Sequence, residues 1–537
     1  MSKRLCLLLL VLPAGIPVLA TLASLLNPVS PHWPHLLGVV LPRVVGNTAL
    51  LLLIVVSLAG VIGTGFAWLT TRHAFPLRGA FHVLLLLPLA MPGYVLGFVA
   101  IEGLDYSGPV QTAWRALSGQ ETAAWEIRGV GGAGLVLGLT LYPYVYLVAC
   151  NAFGSIHATS VDVAASLGER RVFRRIALPL ARPWIAGALL LVAMETLADF
   201  GTVALFNVDT FTTAIYKSWF GFFSVDLALQ LASVLVLISL LLTAWHARQQ
   251  RRRSMVQGQG RRLPRLMLGR GRAALACLGT GAFVMVVVGV PVAVLVAWSL
   301  EHLRTELDPR YLLWLRNSLL LALITAALLT AAALLLAYIG RTAPGRITSL
   351  ATRVATLGYA LPGALIAVGV FAPLAALEAW AAPLWSPGWV TQGFAVLLVG
   401  YAARFLAVAH TPVAQQLRRL SPSLDESARL LNVTGLRLLS RVHAPLVSGA
   451  VAGAAALVLI DVIKEMPITL MTRPFGWDTL ATRVFELTAE GEYRRAALPA
   501  LSIVMAGLVP VALILRGGER RESAAPEPLL EGLSRAA

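Results

Sequence analysis

A chain of 537 residues that is 58% hydrophobic and only 13% charged, with a mean hydropathy of +0.78, has too little polar surface to cover a soluble globule. That excludes a soluble enzyme or binding module and leaves an integral membrane protein. The formal charge of +17, from 43 Lys and Arg against 26 Asp and Glu, reads as basic residues holding topology beside anionic lipid, not as a nucleic-acid surface.

Apolar runs recur at 5–26, 47–69, 80–101, 131–151, 184–206, 227–246, 273–299, 317–339, 354–376, 391–411, 447–470 and 496–515. Each is long enough to cross a hydrocarbon core of about 30 Å. The expectation is an all-α polytopic membrane protein with about 12 transmembrane helices. Most Lys and Arg fall on one side if both termini are cytoplasmic, which fixes the orientation by the positive-inside rule. The first run follows Lys3 and Arg4 like a signal sequence, but it exceeds a signal core of about 7–15 residues and is expected to be a retained helix. Cys6, Cys150 and Cys277 all fall inside apolar runs, at no metal-ligand spacing, so neither a disulfide framework nor a metal site is implied.

The chain repeats itself. Asn47 and Asn317 open corresponding runs, Pro92-Gly93 matches Pro362-Gly363, and Tyr142 matches Tyr401 after a change of loop length. Glu195 and Asp199 then match Asp461 and Glu465, and Asp209-Thr210 matches Asp478-Thr479. An even number of spans per unit makes this a parallel repeat, with a pathway expected between the halves. The expected division is a first half at 1–247, a basic cytoplasmic linker at 248–272, partly disordered, a second half at 273–516 and a cytoplasmic tail at 517–537. Only Lys3, Lys217 and Lys464 are lysines, and none belongs to a phosphate-cradling loop. If ATP drives this protein, the ATPase is another polypeptide.

Each half also carries a polar, arginine-studded stretch between apolar runs, DVAASLGERRVFRRIALP from Asp162 to Pro179 and ESARLLNVTGLRLLSRVHAP from Glu426 to Pro445. Thr159 and Ser423 precede the acids at capping-box spacing, and Ser421-Pro422 is a further helix start, so both loops (159–183 and 421–446) are expected to carry short surface helices.

These two stretches resemble the signature loop of permease subunits of binding-protein-dependent ABC importers: Glu-Ala-Ala, three residues, Gly, nine residues, then Ile-x-Leu-Pro. The second copy keeps the family's length with Ser427 and Asn432 in place of alanine and glycine; the first keeps Ala164 and Gly168 but is two residues short. The resemblance implies two tandem six-helix type I importer permease domains. It implies coupling helices at Asp162, Ala164, Ala165 and Gly168 before Pro179, and at Glu426, Ala428 and Asn432 before Pro445. It further implies two copies of a cytoplasmic ATPase subunit, with ATP and Mg held there and no cofactor in this chain, a periplasmic substrate-binding protein, and a bacterial inner membrane. The fused layout, with ETLADFG at 195–201, TFTTAIY at 210–216 and RPFGWDTLATR at 473–483, is most similar to ferric-iron permeases. Permeases for thiamine, polyamine or phosphonate share parts of the pattern.

Glu195 and Asp199 lie four apart, as do Asp461 and Glu465, which predicts one helix face for each pair. A central charge costs about 2.5–3.5 kcal/mol on insertion scales, so these acids should face the interior, lining a pathway that attracts a cation. The competing reading is a structural ion-pair network with Lys464 and Arg404. Pro88, Pro92 and Pro362 are expected to kink helices, and Trp219, Phe220, Phe222 and Phe223 to form an interfacial aromatic belt. The rival function is an ion-gradient-driven secondary transporter, which has no need of the two inner loops. A membrane enzyme needs a nucleophile, metal or acid–base constellation, and no such spacing is present.

Overall fold

A computed structural model describes residues 3–28, 33–119, 121–156, 171–253, 265–381, 388 and 390–508. Among them, nine helices are long and apolar enough to cross a membrane, and two bent helix pairs are long and apolar enough only when each is taken together. The bent pairs are Arg78–Ala90 with Gly93–Ser118, at 92°, and Gly435–Leu446 with Ser448–Ile463, at 81°. The apolar helix Ala497–Leu508 falls at the start of the twelfth predicted run, whose remainder lies outside the described residues. Helices dominate because a backbone in hydrocarbon must satisfy its own hydrogen bonds.

Corresponding helices pack in corresponding trios. In the first half Leu41–Arg72 lies against Val130–Gly154, and both pack on Leu178–Ala198. In the second half Pro309–Thr342 lies against Phe394–Arg419, and both pack on Ser448–Ile463. Where these helices meet the following loops, the two halves repeat at the level of single bonds. Asn47 Nδ2 donates to the Asp209 carbonyl at 3.1 Å, and Asn317 Nδ2 donates to the Asp478 carbonyl at 3.1 Å. Thr210 with Thr213, and Thr479 with Thr482, form capping boxes on the helices that follow.

The opening helix of each half crosses to the other. Lys3–Ala23 packs on Gly363–Ala381, and the approach is so close that a Cβ on Gly369 would come within 2.8 Å of the Pro17 Cα. Small residues let membrane helices approach in this way. In return, Phe283 of Arg270–Val284 sets its ring 4.8 Å from Phe66 and 5.4 Å from Tyr142 of the first half. The linker region is partly ordered: the helix Val225–Arg253 runs into it, and Leu266–Met267 pairs in parallel with His73–Ala74. Residues 254–264 and 509–537 lie outside the described residues.

Candidate functional site

Of the acids expected on single helix faces, Glu195 and Asp461 lie within helices, and Asp199 and Glu465 sit at the breaks that follow. Leu178–Ala198 ends before Asp199, whose backbone is extended (φ −66°, ψ 134°), and a short helix Gly201–Leu205 follows. Ser448–Ile463 likewise ends before Lys464, Glu465 follows, and Pro467–Thr472 begins anew. Each pair is thus split between a helix that holds Glu195 or Asp461 and a break that holds Asp199 or Glu465. The reason is capping. Asp199 accepts hydrogen bonds from the amides of Thr202 (3.0 Å) and Val203 (3.1 Å) and from the Thr202 hydroxyl (3.0 Å). Glu465 accepts from the amides of Ile468 (3.1 Å) and Thr469 (3.2 Å) and from the Thr469 hydroxyl (3.1 Å). Each acid satisfies orphan donors that lipid cannot, and a carboxylate at a helix amino end meets the favourable end of its dipole.

The repeated Pro-Gly pairs pack against these caps. The chain turns at Met91-Pro92 between the two bent segments, and Pro362 likewise precedes the helix that begins at Gly363. A Cβ on Gly93 would lie 2.6 Å from the Thr202 hydroxyl oxygen, and one on Gly363 would lie 2.9 Å from Glu465 Oε1. Only glycine allows this approach in either half.

All four acids line one cavity, together with residues from both halves. Asp461 pairs with Lys464 at 2.8 Å. Arg404 approaches Glu465 and donates to the Leu361 carbonyl at 3.3 Å. Glu195 lies beside the phenols of Tyr144 and Tyr359. The Tyr94 hydroxyl reaches across to the Lys464 carbonyl at 3.4 Å. Pathway and ion-pair readings thus describe the same cavity: Asp199 and Glu465 cap helices, Asp461 is paired, and Glu195 faces neutral phenols. Four acids against Lys464 and Arg404 leave the lining formally acidic. Among the described residues, no group of three or more His, Cys, Asp or Glu is placed to hold a metal ion. Sequence reasoning missed Tyr94, Tyr144 and Tyr359; the signal available was a phenol inside an apolar run, which needs a polar neighbour when buried.

At the inner loops, Asp162, Ala164, Ala165 and Gly168 lie outside the described residues. Pro179 stands in the first turn of Leu178–Ala198. The second loop forms the helix Pro422–Leu430, on which Glu426 is exposed and Ala428 buried. Its cap is Ser421, whose hydroxyl accepts from the Ser423 amide at 3.3 Å, so Ser423 lies inside the helix and forms no capping box with Glu426. Asn432 takes φ 59° just past the helix end. That is a left-handed position where glycine or asparagine is favoured, which accounts for asparagine at the signature's glycine position. A π-helical turn precedes the closing proline in each half, Phe173–Ala177 before Pro179 and Leu439–His443 before Pro445. The aromatic residues Trp219, Phe220, Phe222 and Phe223 follow Lys217; Phe220, Phe222 and Phe223 are exposed, and Trp219 packs on Phe371 at 4.6 Å.

Two like helical halves around a polar cavity define a multi-pass membrane protein of permease type. Comparison narrows this. Over 482 residues the chain is 26% identical to the Fe(3+)-transport system permease protein FbpB 2 of Haemophilus influenzae, covering 88% of this chain and 89% of that relative. It is 33% identical over 154 residues to the molybdenum transport system permease protein ModB of Azotobacter vinelandii, covering 27% of this chain and 63% of that relative. It is 29% identical over 178 residues to the ferric transport system permease protein FbpB of Actinobacillus pleuropneumoniae, covering 32% of this chain and 26% of that relative. No family model matches the chain.

Proposed function

We propose that this chain supplies both membrane halves of an ATP-driven importer for ferric iron in a bacterial inner membrane. The observation that carries the reading is the end-to-end similarity to a relative named as an Fe(3+)-transport permease, which spans both halves and the linker. Both termini are cytoplasmic, the halves are 1–247 and 273–516, and the loops at 159–183 and 421–446 each receive one of two ATPase subunits. ATP and Mg reside on those subunits, and a periplasmic binding protein delivers iron to the outer loops. The chain performs no chemistry on its substrate: nucleotide binding and release shift it between outward-open and inward-open states, and the cavity is the passage between them. An acidic lining suits a cation, because two bases offset only half of the four acids.

A second reading, an oxyanion permease, is favoured by the local similarity to molybdenum permeases, while the charge of the cavity opposes it. The test is uptake by proteoliposomes holding this chain, its ATPase and its binding protein. ATP-dependent accumulation of radioactive ferric iron is expected. Uptake of molybdate in place of iron would overturn the substrate, and uptake that persists without ATP would overturn the importer in favour of a secondary transporter.

A further inference from the structure

The helix Pro309–Thr342 is anchored at both ends to segments outside the membrane. At its outer end Asn317 holds the Asp478 carbonyl and Ser318 Oγ accepts from the Leu480 amide at 2.9 Å. At its inner end Arg341 Nε meets Asp425 Oδ2 at 2.8 Å, on the helix Pro422–Leu430. The same guanidinium donates to the carbonyls of Leu417 (2.7 Å), Leu420 (3.1 Å) and Ser421 (3.1 Å). The other carboxylate oxygen, Asp425 Oδ1, pairs with His443 Nε2 at 2.8 Å. His443 is fully buried and its Nδ1 has no partner. One turn earlier, Tyr338 donates to the Gly435 carbonyl at 2.8 Å.

We propose that Arg341, Asp425 and His443 form a latch that fixes the inner coupling helix Pro422–Leu430 to the Pro309–Thr342 helix, so that displacement of the one is carried through the other to the outer loop at Asp478. The three are positioning residues; their role in transport rests on the importer reading above. A straight helix of this length is stiff over roughly 50 Å, and its two ends are tied by side-chain bonds, not by lipid contact. The latch side chains are mostly shielded, Arg341 at 14% and Asp425 at 15% exposure. Charge-assisted bonds at such sites are stronger than surface pairs. Burial pushes the Asp425 carboxyl up, but bonds from Arg341 and His443 outweigh it and hold the group below the usual carboxylate range. In the sequence of the first half, Thr71, Val161 and Ala177 occupy the corresponding places, and none carries a charge.

Two measurements on the full chain in lipid nanodiscs test it. Hydrogen exchange of the 423–430 amides needs no partner: Asp425→Ala should speed it about tenfold, the loss of one charge-assisted bond, while amides in the middle of Phe394–Arg419 stay unchanged. In proteoliposomes with ATPase and binding protein, Asp425→Ala should keep ATPase-subunit binding within about twofold yet lower ferric iron moved per ATP hydrolysed about three- to tenfold. Asp425→Glu, which keeps the charge, should restore most of that ratio. Unchanged exchange in both Asp425→Ala and Arg341→Gln, or an unchanged ratio of iron to ATP, would overturn the latch. If wild-type protein binds no ATPase, the importer reading fails, and the exchange measurement alone still decides whether the latch exists.

Discussion

The two halves are near copies around Asn47 and Asn317, and among the described residues they differ around Trp68 and Tyr338. Outside, Asn47 and Asn317 make the same bond at the same length, and threonine capping boxes follow both. At the centre, Asp199 and Glu465 do the same capping work with side chains of different length. At Trp68 the first half packs aromatic rings, 5.0 Å from Phe173 and 5.3 Å from Phe153. The second uses Tyr338, Arg341, Asp425 and His443 at matching or neighbouring places. A duplicated membrane fold keeps its polar bonds where a helix break leaves backbone groups that lipid cannot satisfy.

The largest effect that would sharpen this comparison lies at the inner loops. Asp162→Arg and Glu426→Arg should weaken capture of the ATPase subunit by purified permease, by about tenfold or more for the stronger of the two, because the charge that each loop would offer a partner is reversed. The two effects should be unequal; equal losses would contradict a functional difference between the inner ends. Next come the caps. Asp199→Ala and Glu465→Ala should each cost about 1–2 kcal/mol, read as a lowered midpoint of thermal unfolding in detergent. Here the halves should match, and a cost confined to one would break the equivalence of the two helix breaks. Gly93→Ala and Gly363→Ala should likewise destabilise in parallel, by about 1–3 kcal/mol from overpacking. The smallest effect is at the outer face, where Asn47→Ala and Asn317→Ala should each cost about 1 kcal/mol for one lost hydrogen bond. A difference larger than that cost would mean that identical geometry hides different energetics.

Much of this was legible from residues alone. Apolar runs mark the spans because lipid demands them, and Asn47/Asn317, Pro92-Gly93/Pro362-Gly363 and the four acids mark the repeat because polar or helix-breaking residues in hydrocarbon are too costly to be accidental. The fifth run was read as continuous from 184 to 206, yet it breaks at Asp199, since apolar composition continues through the break and only the capping bonds reveal it. The start of the second inner helix was ambiguous between Ser421 and Ser423 because both hydroxyls have suitable spacing; proline at 422 favours the earlier one. The exchange of opening helices between halves was invisible, as nothing in Lys3–Ala23 distinguishes a face meant for lipid from one meant for Gly369. The phenols around Glu195 were missed for a related reason: Tyr144 and Tyr359 are far apart in sequence and meet only when the halves pack.

The central claim is that the passage runs between the halves and past these acids. Its most direct measurement is ATP-driven uptake of ferric iron by proteoliposomes carrying Glu195→Gln or Asp461→Asn, with expression and ATPase binding matched to wild type. A fall of about tenfold in each variant is expected, equivalent to about 1.4 kcal/mol for one lost charge facing a cation. Uptake at the wild-type rate in both would contradict the claim and leave the acids a purely structural role.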